Sequence, residues 1–160
     1  VRRLAARGAR RAGGGTLTEI PPTESSLTDD EYRSLAAFRR ALRRFLSFSE
    51  RAAREHGLTP SQHQLLLAIR GHPGAGPPST SDLAEALQLK LHSVGELADR
   101  AVEKGLVQRH HDPADVRRSL LELTPDGLIE LDALSVLHRR ELRRFRGEFG
   151  ALLDGLGDEP

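Results

Sequence analysis

The sequence contains no cysteine, and it also lacks methionine, tryptophan and asparagine. Without cysteine the chain has no disulfides, no thiolate metal ligands and no thiol redox sensor. Its longest apolar run, residues 65–69, is far shorter than the roughly 20 residues that a membrane-spanning helix requires. No apolar segment follows the basic start of the sequence, as one would in a secretory signal. We therefore expect a cytoplasmic protein without a membrane partner.

Signatures of catalysis are missing too. The sequence has no G-x-S-x-G nucleophile motif, no G-x-x-x-x-G-K-[ST] phosphate loop and no G-x-G-x-x-G dinucleotide motif. Its seven histidines include no H-E-x-x-H or similar helical ligand pair, and the adjacent His110 and His111 should point to opposite faces of a strand. We therefore predict no enzyme activity, no catalytic residue, no cofactor and no metal site.

The formal net charge of +1 hides an uneven distribution of charge. Residues 1–27 carry a local charge of +3, whereas residues 28–160 carry −2. Nucleic-acid binding therefore cannot be inferred from the overall charge and must come from a local arrangement. Only two of the 24 basic residues are lysine. Arginine suits phosphates and guanine edges, although a GC-rich coding sequence explains the same bias.

The chain divides into a tail and one domain. Residues 1–26 are predicted to be a disordered basic tail, because three consecutive glycines and a proline pair break any helix there. Residues 27–160 are predicted to form a single domain. Arginines in the tail share a helical face, so an arm that contacts DNA is an alternative for this segment.

The domain begins and ends with a long helical region. A capping box at residues 28–31 starts the first helix, and apolar residues at helical spacing continue it to about residue 56. The last helical region is predicted over about 125–155, where Gly147 and Gly150 bend or divide it. The two regions repeat the pattern R-R-x-L-R-R-F, which favours an apolar core rimmed by arginine over a membrane-binding face.

Between these regions, within about residues 59–124, the pattern predicts a winged helix-turn-helix. Three helices are followed by two strands that a turn at residues 112–115 connects. The fold class is therefore mainly α with a small β-hairpin wing. The predicted elements are helices over 59–71, 79–87 and 91–104 and strands over 106–111 and 118–123.

Several of these segments resemble the MarR family of bacterial regulators, in the same order and spacing over about residues 30–155. The most particular part is the wing sequence at residues 112–117 followed by Leu-Thr-Pro-x-Gly at 123–127. The other segments are 81–87, 97–100 and 103–107. The resemblance implies a homodimer whose first and last helices, about 28–56 and 125–155, intertwine. It also implies a repressor of transcription that binds a palindromic double-stranded DNA operator and is released by a small aromatic ligand.

The same resemblance assigns the DNA-binding residues. Asp115 and Arg117 match the Asp-x-Arg pair of the family's wing, in which a carboxylate keeps the arginine extended before DNA arrives. The recognition helix would begin after Lys90 and enter the major groove. Asp99 and Arg100 are also interpreted as an ion pair within the domain. The predicted DNA-binding residues are Ser81, Lys90, Leu91, His92, Ser93, Glu96, Arg100, Arg109, Asp115, Arg117 and Arg118.

Two questions stay open at this point. Candidates for a ligand pocket are residues where the first, second and last helices should meet, namely Phe38, Leu42, His63 and Leu67. Glu96 near the start of the recognition helix would repel phosphate. Together with the acidic balance of residues 28–160, it supports an alternative function in protein–protein assembly with weak DNA binding.

Overall fold

The computed structural model describes residues 27–115 and 117–154. The predicted tail over 1–26, the wing residue Val116 and the last six residues lie outside the described part. Within these residues, five helices and two strands follow one another. They are α1 (Asp29–Glu55), α2 (Pro60–Arg70), α3 (Thr80–Leu87), α4 (Leu91–Glu103), β1 (Val107–His111), β2 (Ser119–Leu123) and α5 (Pro125–Asp154).

The starts of the first three helices are set by their own side chains. Thr28, Thr59 and Ser79 each accept a hydrogen bond from the backbone N–H three residues later, whose side chain bonds back to the cap. Helix α4 differs, because its N-cap Lys90 makes no side-chain capping bond to the described residues. The capping box at residues 28–31, predicted from the sequence, is confirmed.

Helices α2 to α4 and the β-hairpin enclose one core. Gln88 is the C-cap of helix α3, and its backbone is left-handed with φ of 53°. This tight turn leads directly into α4. The two strands pair antiparallel from Val107 opposite Leu123 to His111 opposite Ser119. The largest fully buried side chains of the molecule are Leu65, Leu66, Leu83, Val94, Val107, Leu121, Leu131 and Leu134.

A further backbone connection fixes the hairpin against α3. Ser79 forms an isolated antiparallel bridge with Leu120, and the N–H of Leu121 donates to the Pro78 carbonyl at 3.0 Å. The segment before α3 therefore acts as a third, very short strand beside β2. This bridge places the wing at a defined position relative to the helix-turn-helix.

Helices α1 and α5 lie side by side in opposite directions. Near one end of the pair the Phe38 and Phe149 rings lie 5.2 Å apart edge to face, and further along Phe45 contacts Phe145 at 6.1 Å. These contacts continue through the segment that contains Gly147. Helix α5 is continuous through both glycines, so the expectation that Gly147 and Gly150 divide the last helix is wrong. Packing against α1 outweighs the weak helix propensity of glycine.

The element boundaries depart from the predictions by about one residue. The strands begin at Val107 and Ser119, each one residue later than predicted, and α1 ends at Glu55. In the part of the chain that the structure describes, no helix is both long and apolar enough to cross a membrane.

Candidate nucleic-acid interface

The start of α4 presents an unusually open surface. Val94, Leu97 and Ala98 face the core, so the preceding turn carries the residues that remain outside. Leu91 is 55% exposed, although it is a large apolar side chain. His92 beside it is exposed as well. The first turn of α4 therefore offers one apolar and one hydrogen-bonding side chain to a neighbouring molecule.

Three more of the predicted residues accompany this turn. Lys90 is exposed at the N-cap, Ser93 is half-buried, and Glu96 is exposed one turn further along. Ser81 is exposed in the first turn of α3. The positive end of the α4 dipole and the Lys90 ammonium both favour an anion near this end of the helix, whereas Glu96 opposes one.

The wing carries an arginine that its own turn positions. The Asp115 carboxylate oxygen Oδ1 accepts from the backbone N–H of Arg117 at 3.0 Å and from its Nε at 3.2 Å. The Arg117 side chain is nevertheless 89% exposed. Because one carboxylate bonds both the backbone and the side chain, the guanidinium is oriented while its remaining donors stay accessible. The paired geometry expected for Asp115 and Arg117 is present.

Arg118 connects the wing to the helix-turn-helix. Its guanidinium lies 3.1 Å from the Asp112 carboxylate and 3.7 Å from that of Asp82. Asp82 also closes the capping box of α3, and the Ser79 N–H and hydroxyl, followed by the Arg118 charge, lower the pKa of that carboxyl. Arg118 therefore positions the wing, and about half of its side chain stays exposed to solvent.

Arg109 has a similar internal role. Its guanidinium donates to the Asp99 carboxylate at 2.7 Å, which joins β1 to α4. The expected pair between Asp99 and Arg100 is therefore wrong, because the strand brings Arg109 within reach of the carboxylate. Arg100 is exposed and forms no ion pair with any described residue.

The four residues proposed for a ligand pocket do not come together. Phe38 packs on Phe149, whereas His63 lies against His138. His138 precedes Phe149 by 11 residues on α5, which corresponds to about 16 Å along the helix. Leu42 is exposed on α1, and Leu67 lines a shallow groove between α2 and α3. The length of α1 explains the difference, since residues that share its inner face are spread along it.

A polar cluster lies at the junction of α1, α2 and α5. The sequence patterns pointed to His63 at this junction but missed Ser49 and His138. The Nδ1–H of His138 donates to the Leu134 carbonyl, and its Nε2 accepts from the Ser49 hydroxyl, both at 2.7 Å. The His63 ring lies 4.6 Å from the His138 ring. Burial, and secondarily the nearby His138, lower the pKa of His63 to about 4, so this ring is neutral at neutral pH.

The cluster is not assembled as a metal site. Among residues 27–115 and 117–154, no group of three histidine, aspartate or glutamate side chains is placed to bind a metal ion. Both ring nitrogens of His138 already bond within the fold, one to the Leu134 carbonyl and the other to the Ser49 hydroxyl.

Comparison with known proteins agrees with this geometry. Residues 56–118 match the model of the MarR family. The HTH-type transcriptional repressor NicR of Pseudomonas putida is 32% identical over 96 residues, which is 60% of this chain and 59% of that protein. The chain spans between 49% and 59% of the length of the first curated relatives it matches.

Solved structures show the same fold. The MarR family transcription regulator SP03579 superposes with a TM-score of 0.65 at 27% identity, over 76% of this chain and 78% of that one. The MepR–DNA complex of S. aureus superposes with a TM-score of 0.62 at 23% identity, over 77% and 85% of the two chains. The helix-turn-helix and wing described above are thus in the arrangement found in these regulators.

Proposed function

We propose that the chain belongs to the MarR family and is a dimeric regulator of transcription that binds double-stranded DNA and catalyses no reaction. The observation that carries this proposal is Arg117, which the Asp115 carboxylate orients at the tip of the wing while 89% of its side chain stays exposed. An arginine fixed in this way is suited to the negative potential of a narrow minor groove. A cytoplasmic location is part of this proposal, because the DNA target would lie there.

The start of α4 would read the adjacent major groove. Leu91 can contact a thymine methyl group, and His92 and Ser93 can donate to base edges or phosphates. In a dimer, the two copies of α4 would lie about 34–36 Å apart, one turn of the duplex. The operator is therefore expected to be palindromic, with equivalent half-sites on one face of the DNA.

Apolar side chains on α1 and α5 support the dimer. Among those left exposed are Leu42 and Leu46 on α1 and Leu142 on α5. Soluble monomers seldom leave such a row of large apolar side chains uncovered. We place a second copy of the chain on this surface, as the expected intertwining of the first and last helices requires.

A small aromatic ligand would act at the junction of α1, α2 and α5. His63, His138 and Ser49 supply polar groups there between Phe45 and Phe48. The junction connects the helices of the dimer to the DNA-reading lobe, so a ligand that separates them would change the spacing of the two recognition helices. Repression relieved by such a ligand is the regulation we propose.

The salt dependence of DNA binding tests the proposal. The purified protein would be titrated by fluorescence anisotropy into duplexes from upstream of its own gene at several salt concentrations. If each subunit neutralises about three to four phosphates, log K should fall with log[salt] at a slope of roughly −5 to −7. Unlabelled operator should displace the probe, whereas unrelated duplex should not.

One observation favours a second function. Glu96 is exposed on the recognition helix and has no ion-pair partner among the described residues, which suits a basic protein surface better than a phosphate backbone. The same titration separates the two functions. Absence of salt-sensitive binding to any duplex would contradict the DNA-binding proposal and favour protein–protein assembly.

A further inference from the structure

A cleft between α1 and α5 concentrates positive charge away from the DNA-binding elements. It has a volume of about 700 Å³, and no residue of α2, α3, α4 or the wing lines it. We call it the arginine cleft. Its charged lining residues are Arg40, Arg43, Arg44, Arg51, Arg144 and Glu141.

Three of the five arginines of the arginine cleft have no ion-pair partner among the described residues. Glu141 is the one carboxylate among the described lining residues, and it lies 3.1 Å from Arg144. In the part of the chain with a described structure, Arg40, Arg43 and Arg51 form no ion pair. Like charges three or four residues apart on a helix destabilise it by a few tenths of a kcal/mol per pair. A bound anion would remove this repulsion.

The two ends of α1 show the usual arrangement instead. Arg33 forms ion pairs with Asp29 and Asp30, and Arg54 lies 3.2 Å from Glu50. At these two ends of α1, arginine is therefore matched with a carboxylate of the same helix. Arg40, Arg43 and Arg51 lack such a match among the described residues.

The inner wall of the cleft is aromatic. Phe48 is half-buried and Phe145 is buried, and the Arg44 guanidinium lies over the Phe145 ring at 5.7 Å. The Ser47 hydroxyl adds a neutral donor. Guanidinium groups bind phosphate through paired N–H donors, and an aromatic wall accepts a flat ring. The volume is within the range of small-molecule sites.

The dimer surface proposed above would leave this cleft open. At 100° per residue, Arg40, Arg44 and Arg51 fall along one stripe of α1. The exposed Leu42 and Leu46 fall on roughly the opposite side of the same helix. A second copy packed on the leucines would therefore not cover the arginines.

We propose that the arginine cleft binds a multiply phosphorylated anion of the nucleoside polyphosphate type. The phosphates would lie among Arg40, Arg43 and Arg51, and the base would pack along Phe48. Because Arg144 and Phe145 of α5 also line the cleft, the bound ligand would stabilise the α1–α5 pair. The site is separate from the DNA interface and does not depend on the function proposed above.

Calorimetric titration of the full chain with ATP, inorganic triphosphate and adenosine tests this proposal. We expect saturable binding of ATP and triphosphate and none of adenosine. The double variant Arg40→Gln/Arg51→Gln should lose at least about tenfold in affinity, since each guanidinium makes charge-assisted bonds. Tighter binding of ATP than of triphosphate would identify a nucleotide, whereas equal binding would identify inorganic polyphosphate as the source of the phosphates.

The matched control is Arg39→Gln/Arg146→Gln, which removes the same charge from exposed positions outside the cleft. It should bind ATP as the unaltered chain does. ATP should also raise the melting temperature of the control but not that of the cleft variant, with circular dichroism to verify that both fold. Equal loss of affinity in the two variants, or no saturable binding of either phosphate compound, would overturn the proposal.

Discussion

At the scale of single residues, the wing arginine offers the most direct test of DNA binding. Arg117→Ala should weaken operator binding by about 1–3 kcal/mol, because an oriented guanidinium in the minor groove is lost. Anisotropy titrations on one operator duplex would measure the effect. Arg33→Ala is the control, since that side chain is bound to carboxylates on α1, far along the chain from the wing. Unchanged affinity of Arg117→Ala would show that the wing does not contact DNA.

His63 predicts a pH dependence of stability. Burial holds its folded-state pKa at about 4, below the 6.5 of an exposed histidine, so the unfolded chain takes up the proton first. The stability associated with neutral His63 is complete above pH 6.5 and is lost as the pH falls from 6.5 towards 4. Between pH 7.5 and pH 5 the loss should be about 2 kcal/mol, at about 1.4 kcal/mol per pH unit.

Urea unfolding at both pH values would measure this loss, and His63→Leu is the comparison. Titration of other groups, including the lowered carboxyls of Glu31 and Asp82, is common to both proteins and cancels in the difference. The variant should show about 2 kcal/mol less pH dependence than the unaltered chain. An identical pH profile in the two proteins would mean that His63 stays accessible to protons in the folded state.

At the scale of elements, the start of α5 shows why the motif Leu-Thr-Pro-x-Gly requires its threonine and its glycine. Thr124 donates through Oγ1 to the Gly105 carbonyl at 2.6 Å and accepts from the Gly127 N–H at 3.0 Å. A Cβ at Gly127 would overlap the carbonyl of Leu106. Gly127→Ala should therefore destabilise the fold by more than about 2 kcal/mol, because a backbone atom must move.

Gly147→Ala is the matched control within the same helix. A Cβ at Gly147 has nothing within 4 Å in the described structure, so the better helix propensity of alanine should stabilise the protein by about 0.5–1 kcal/mol. Thermal and chemical unfolding would compare the two variants. Similar stability of the two variants would contradict the close approach of Gly127 to the Leu106 carbonyl.

Elements whose sequence signals act over a few residues were predicted accurately. Capping boxes and breaks in apolar spacing act within one turn, so the boundaries of α1, α2 and the strands agree with the prediction to within about one residue. The candidate site was predicted less completely. The Asp115–Arg117 pair was expected from the resemblance of the wing sequence to the MarR family. The Arg109–Asp99 and Arg118–Asp82 ion pairs depend on how strands meet helices. The burial of His63 also depends on tertiary packing, because the periodicity of α2 does not show which face α5 covers.

At the scale of the whole molecule, the exposed leucines of α1 and α5 connect dimerisation to DNA binding. A glutamate at position 46 would place a charge in the proposed interface without a partner, at a cost of several kcal/mol. Leu46→Glu should therefore yield monomers at concentrations where the unaltered chain is a dimer. Light scattering coupled to size exclusion would measure the mass.

The matched control for that prediction is Leu67→Glu, because Leu67 on α2 is 50% exposed and Leu46 is 46% exposed. Leu67 lies outside the proposed interface, so this variant should remain dimeric.

A monomer presents one recognition helix and one wing, and on a palindromic operator it loses the second half-site. We expect at least about a hundredfold weaker operator binding by Leu46→Glu, with a salt slope near half that of the dimer. A dimeric Leu46→Glu with full affinity would place the interface elsewhere on the molecule, and a monomer with full affinity would contradict the two-half-site mode of binding.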